Sequence, residues 1–182
     1  MILESINKRI RNCKRCQLYT QGRAVPGEGP DDAEIMLVGQ APGKIESIRG
    51  KPFIGKAGRF LDELLEIADL KREKVFITSV LKHYPPKNRP PRKDEILACK
   101  PFLEQQIEII KPKVIVLMGN VAIKSILDNQ SLKVTEMHGK KREKSGRRYL
   151  LTFHPAAGMR FPKIKKLIKS DFKKLKNIKN KV

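Results

Sequence analysis

Cys13 and Cys16 form a C-x-x-C pair near the start of the chain, and Cys99 completes a set of three cysteines. An odd cysteine number does not build a disulfide framework, and a thioredoxin-type redox pair would follow a strand inside a β-α-β unit. This pair instead ends a basic amphipathic segment ahead of the first apolar strand, so metal ligation is the better reading. A second stretch, GKPFIGKAG at residues 50–58, nearly spells G-x-x-x-x-G-K-[ST]. A phosphate loop needs a strand running into the glycine turn, consecutive free amides and a hydroxyl for magnesium. Here KIESIR, a charged loop without strand character, precedes the glycine, Pro52 removes an amide, and Ala57 stands where the hydroxyl belongs. The match is accidental. What the stretch presents is Phe53, bracketed by Pro52 and Gly55, which can stack on a planar ligand or plug the core.

The elements that must position these groups follow from hydrophobic periodicity. Leu3, Ile6 and Ile10 predict a short opening helix that delivers the cysteine pair, and GRAVPGEGPDD at 22–32 is a turn-rich loop. EIMLVG (34–39), VFITSV (75–80) and KVIVLMG (113–119) read as buried strands, with YLLTF (149–153) a fainter repeat of the pattern. Phe60, Leu61, Leu64, Leu65 and Ala68 mark one helical stripe; Ile96, Leu97, Phe102, Leu103, Ile107 and Ile110 mark another. Residues 133–152 hold irregular strand and a hairpin turning at SGRR. Ile164, Leu167, Ile168, Phe172, Leu175 and Ile178 predict a basic amphipathic final helix docked on the sheet. The expectation is one domain over residues 1–182, α/β in class. Its architecture is a three-layer α/β/α sandwich around a mainly parallel four-stranded sheet. Ligands in such sheets sit beyond the carboxyl ends of the strands. That selects GQAPG, Ser79 with LKHYPP, GN at 119–120, and HPAAGMR.

With 182 residues and 40% hydrophobic content the chain can bury a core, and no apolar run approaches a membrane span. The N-terminus lacks a signal-peptide core, which points to an intracellular, cytoplasmic protein without a membrane partner. A formal net charge of +21 makes nucleic acid the leading partner, since phosphates release counterions to such a surface. A generally lysine-rich proteome is the competing source of that charge.

Taken in order, GQAPG-x-x-E, G-x-PF-x-G-x-AG-xx-LD, PPKNRPP followed by Cys99, and HPAAGMR resemble the family 4 uracil-DNA glycosylases. These are the iron–sulfur branch of the uracil-DNA glycosylase superfamily. The resemblance runs from Cys13 to about Arg160. It implies a monomeric DNA repair enzyme that flips a deaminated base, uracil by preference, out of DNA and hydrolyses its N-glycosidic bond. By that resemblance His154 stabilises the departing base, while Gln40, with the amides of GQAPG, orients water and Glu46 supplies a carboxylate. Phe53, Ser79, Gly39 and Ala41 surround the base. Ala157, Gly158 and Met159 act as a wedge beside Arg160, and Lys87, Asn88 and Arg89 contact DNA phosphates next to the ligand set.

The pattern also departs from the family. Gln40 replaces the usual acidic residue, Ser47 a neighbouring Asp, and Ser79 the Asn that reads the uracil edge. His83 stands where the third cluster cysteine belongs, so the ligand set becomes Cys13, Cys16, His83 and Cys99. A 4Fe-4S cluster follows from the resemblance, whereas by residue chemistry alone the set suits tetrahedral zinc equally. The missing Asn keeps two alternatives open: a glycosylase retuned to hypoxanthine or xanthine, or a non-catalytic binder of damaged DNA. A sliding clamp is left as an open second partner. His138, in a basic loop, is DNA-facing or solvated.

Overall fold

The computed structural model describes residues 2–179. The apolar stripe of α1 (Ile2–Arg11) buries Leu3, Ile6 and Ile10 and lies against α4 (Lys93–Ile110). The predicted apolar runs become strands β1 (Ile35–Gly39), β2 (Phe76–Ser79), β3 (Val114–Met118) and β5 (Arg147–Thr152). β1, β2 and β3 are buried at every position, as strands covered on both faces must be. Between them lie α2 (Lys44–Arg49), α3 (Lys56–Ile67), α5 (Asn120–Leu127) and α6 (Val134–Met137), and α7 (Pro155–Arg160) and α8 (Pro162–Lys179) close the chain. Helix α3 packs with α7 and α8, where Ile168, Phe172, Leu175 and Ile178 are buried as the tail pattern predicts, whereas Ile164 is half-buried and Leu167, assigned to the same face, is exposed.

The sheet order is β2-β1-β3-β5-β4. β2, β1, β3 and β5 are parallel neighbours, while β4 (Lys141–Lys144) runs antiparallel to β5. The sheet therefore has five strands, not the four expected. β4 reads KREK and is exposed or half-exposed along its length, so no burial imprinted a period on it; its charges also guard the open edge. Two further details differ. Leu97, assigned to the apolar stripe of α4, is 55% exposed, and KIESIR, read as a loop, forms α2. Among the described residues no helix is long and apolar enough to cross a membrane.

Candidate active site

All four parallel strands end at one edge, and there Gly39 and Ser79 stand side by side in register. A Cβ on Gly39 would lie 2.6 Å from Cζ of Phe53 and 3.3 Å from Oγ of Ser79, so the bare glycine is what lets the ring lie on the strand end. The Phe53 and His154 rings stack with centroids 5.6 Å apart and planes at 29°. Gly119, just past β3 at φ 90°, leaves room for His154, whose Cβ would sit 3.2 Å from any Cβ placed there. The loops after β1, β3 and β5, with Ser79 of β2, thus converge on one spot. Ser79 is buried, yet among the described residues its hydroxyl has no protein hydrogen-bond partner, and neither has the half-buried carboxamide of Gln40. Ala41 sits one step further out, packed toward Leu81 and Cys99.

His154 is the N-cap of α7, and its Nδ1 accepts a hydrogen bond from the Ala156 N–H at 3.2 Å. A backbone amide can only donate, so Nδ1 is the acceptor and the neutral ring carries its proton on Nε2. Burial pushes the imidazole down to about 4, partly opposed by the nearby Glu46 carboxylate. At neutral pH the ring is an uncharged donor whose Nε2–H has no protein partner among the described residues.

The Phe53 loop explains why the near phosphate loop needs no phosphate. Gly55 is the N-cap of α3, a helix terminus whose amides attract anions. Glu46 fills that role from within: its Oε1 accepts the N–H groups of Ile54 and Gly55, each at 3.0 Å. Arg72 braces the other side, donating to the Pro52 carbonyl at 2.8 Å and pairing with Asp62 at 2.7 Å. Phe53 itself is held at φ 49°, a left-handed conformation that a bulky side chain rarely adopts.

The wedge segment is divided by α7. Met159 and Arg160 are exposed, but Gly158 turns inward, where a Cβ would lie 2.8 Å from Phe60 and 2.9 Å from Ile168. Gly158 therefore belongs to the helix packing and not to a groove-entering tip; Ala157 is half-buried. Phe161, which follows α7, is 56% exposed and joins Met159 as a second large apolar group on the surface there. Lys87 and Asn88 are exposed on a turn with φ of 55° and 54°. Arg89 is spent differently: both its terminal nitrogens bind Glu95, whose carboxylate also caps α4 through the Arg92 N–H. His138 packs on Phe153 and reaches the buried Asp171, which also accepts the Thr152 hydroxyl at 2.8 Å. Burial raises the Asp171 carboxyl, with those two bonds opposing.

Cys13 and Cys16 follow α1, and Cys99 lies within α4. Cys99 and Cys16 pack with Leu18 and Leu81; the Cys16 thiol feels the charge of Cys13, and the Cys99 thiol that of Cys16 and Cys13. Burial pushes the Cys99 thiol up to about 11, opposed by a hydrogen bond from the Lys82 backbone N–H; the Leu18 N–H does the same for Cys16, also raised by burial. His83 follows Lys82, is buried, and has no protein hydrogen-bond partner for either ring nitrogen among the described residues. Burial lowers its pKa, which favours the neutral, ligating form. Among the described residues no three donor side chains stand as a group that could hold a metal ion. The donor chemistry nonetheless fits a thiolate-bound centre, since amides aimed at cysteine sulfurs and a partnerless buried imidazole are what such a centre uses. Its neighbour Lys82 is also fully buried; desolvation brings its ammonium down to about 7.

Residues 26–176 match the family model described as the uracil DNA glycosylase superfamily. Type-4 uracil-DNA glycosylases resemble the chain over nearly its whole length. That of Saccharolobus solfataricus is 44% identical, covering 96% of this chain and 85% of its own. For Sulfurisphaera tokodaii the identity is 42%, with 97% and 84% covered, and for Archaeoglobus fulgidus 39%, with 95% and 91%.

Proposed function

The chain belongs to the uracil-DNA glycosylase superfamily, in its type-4 branch, and from that premise we propose that it excises uracil from DNA. The observation that carries this reading is the convergence of Phe53, His154 and Ser79 over Gly39 at the strand ends. An extruded base is a flat ring with polar edges; it needs an aromatic face and a few unpaired donors and acceptors, which this spot supplies.

Heterolysis of the glycosidic bond leaves the electron pair on uracil and positive charge on the sugar. Nε2–H of His154 donates to a uracil carbonyl oxygen as that charge develops, in a position fixed beforehand by the Nδ1 bond to Ala156. Phe53 stacks on the base, and Ser79 contributes one hydroxyl where a carboxamide would contribute a donor and an acceptor, a bridging water supplying the other contact. Gln40 orients the attacking water through its unpartnered carboxamide. Glu46 places negative charge near the sugar while its bonded oxygen holds the Phe53 loop. Met159 and Arg160, with Lys87 and Asn88, meet the DNA outside the pocket. Arg89, tied to Glu95, shapes the turn that presents Lys87 and Asn88. Cys13, Cys16, His83 and Cys99 would hold a 4Fe-4S cluster, which pins α1 to α4 when bound. Iron and sulfide in oxygen-free preparations, with visible absorbance, is the expected result; stoichiometric zinc counts against the cluster.

The assay is direct. Duplexes holding one uracil, hypoxanthine or xanthine are incubated with protein, and abasic sites are cleaved with alkali. Scission at uracil alone is expected; scission only at another base, or retarded but uncut DNA, overturns the proposal. The pH profile carries a second expectation. Because the folded His154 stays neutral down to about 4, against 6.5 for a free imidazole, the single-turnover rate should not step down near 6.5 but should fall as pH approaches 4. Between those values the unfolded chain takes up a proton the folded chain refuses, so folding stability declines as pH drops through that window. Rates and thermal unfolding across the same buffers test both.

A further inference from the structure

Lys82 follows the base-reading strand, yet it is 1% exposed, an unusual fate for an ammonium. In its ammonium form all three of its N–H bonds are used. Nζ donates to Thr78 Oγ1 at 2.7 Å, to the Ser79 carbonyl at 2.9 Å and to Gln106 Oε1 at 2.8 Å. No carboxylate is among these partners, and burying a cation against neutral acceptors alone is costly, so a fold that does it gains something in return. The network continues behind the strand: the Thr78 hydroxyl and Gln106 Nε2 both donate to the Pro26 carbonyl at 2.8 Å. Successive side chains of a strand point to opposite faces. Thr78 thus faces this buried knot while Ser79 faces Gly39 and Phe53. Through its backbone N–H, Lys82 also touches Cys99.

We propose that Lys82 is a positioning residue for base recognition: its ammonium clamps the end of β2 from behind and fixes the Ser79 hydroxyl toward the base. The Ser79 carbonyl and the Thr78 side chain are gripped together, so the peptide that carries Ser79 cannot rotate and the Cα–Cβ bond that bears its hydroxyl keeps one direction. This matters more here than in a protein with a longer amide at that position, because a short hydroxyl has no reach to compensate for a shifted backbone. The inference rests on the reading of Ser79 as a base contact.

The test compares Lys82→Met, Thr78→Val, Thr78→Ser and Ser79→Ala at a temperature where each is folded. Single-turnover uracil release and affinity for undamaged duplex are measured. Lys82→Met and Thr78→Val should slow release by about tenfold or more while affinity for undamaged DNA stays unchanged; Thr78→Ser, which restores the acceptor, should recover the rate. Ser79→Ala should show the same loss as Lys82→Met. If Lys82→Met does not fold, the Thr78→Val and Thr78→Ser pair decides alone. Wild-type rates in Lys82→Met and Thr78→Val beside a slow Ser79→Ala would refute the clamp and leave the Ser79 reading standing. A lowered Tm with an unchanged rate would equally refute it. A wild-type rate in Ser79→Ala would remove the Ser79 reading and the clamp with it.

Discussion

Replacing His154 by alanine should slow single-turnover uracil release by about 10²–10³-fold, the usual effect of deleting one preorganised donor at a developing anion. The donor is preorganised by its own helix: Nδ1 is tied to the Ala156 amide, so the proton stays on Nε2 of a ring stacked on Phe53 without having to choose a tautomer. That bond is also a helix cap, worth about 1 kcal/mol. Alanine therefore removes two things at once. His154→Asn separates them, because an Asn side chain can still cap α7 but lacks the reach of the ring. It should unfold near the wild-type temperature and still lose most of the rate. Affinity for undamaged duplex should be unchanged in both variants, since the ring meets the base only after extrusion. Rates, unfolding temperatures and duplex affinity measured together distinguish a lost donor from a damaged fold.

The second large effect is expected at a residue that touches no substrate. In α3 the space beside Gly58 is filled by the Phe53 carbonyl: an added Cβ would sit 1.9 Å from that oxygen and 2.2 Å from its carbon. Elsewhere in a helix, glycine to alanine stabilises by about 1 kcal/mol. Here the sign reverses. Backbone must move, and the residue that moves is already held in a left-handed conformation by Glu46 and Arg72 on either side. Gly58→Ala should cost about 1–3 kcal/mol of stability by overpacking. It should cost about 10² in rate, because displacing Phe53 by an ångström takes the stacking face off the Gly39 site. Denaturant unfolding and single-turnover release on the same preparation test this. A variant that is stabilised and fully active would show that the loop tolerates a shift and that the Phe53 position is not decisive.

These two residues illustrate what the sequence discloses. His154 was legible because it directly follows an apolar run, and parallel sheets place their sites at that end. Gly58 was visible only as part of a motif; that it accommodates a carbonyl is a fact of three dimensions. The strands β1, β2 and β3 were legible because burial on both faces leaves continuous apolar runs, and β5 was legible in its apolar half; β4 was legible only as an arm of the hairpin at SGRR and not as a strand of the sheet, because an edge strand of lysine, arginine and glutamate is solvated. Glu46 was recognisable as a carboxylate near the site, yet its bonds to Ile54 and Gly55 depend on α2 and α3 meeting across a loop. Arg89 reads as a phosphate contact from its place beside the ligand set, and Glu95 claims it only once α4 has formed. Lys82 was least legible of all. A lysine before a proline-rich loop carries no mark of burial, and its acceptors lie on β2 and on α4, distant in sequence.

Uracil release depends on a neutral His154 donating from Nε2 to a base seated against Phe53. With three histidines in the chain, the ring nitrogens can be followed one by one in protein labelled with ¹⁵N-histidine, the His154 signals being identified by their loss in His154→Asn. Near neutral pH, adding free uracil in excess should shift the His154 Nε2–H resonance while the ring stays neutral and Nδ1 keeps its acceptor character. A His154 that is cationic near neutrality, or one whose resonances ignore uracil while His83 or His138 respond, would contradict that dependence.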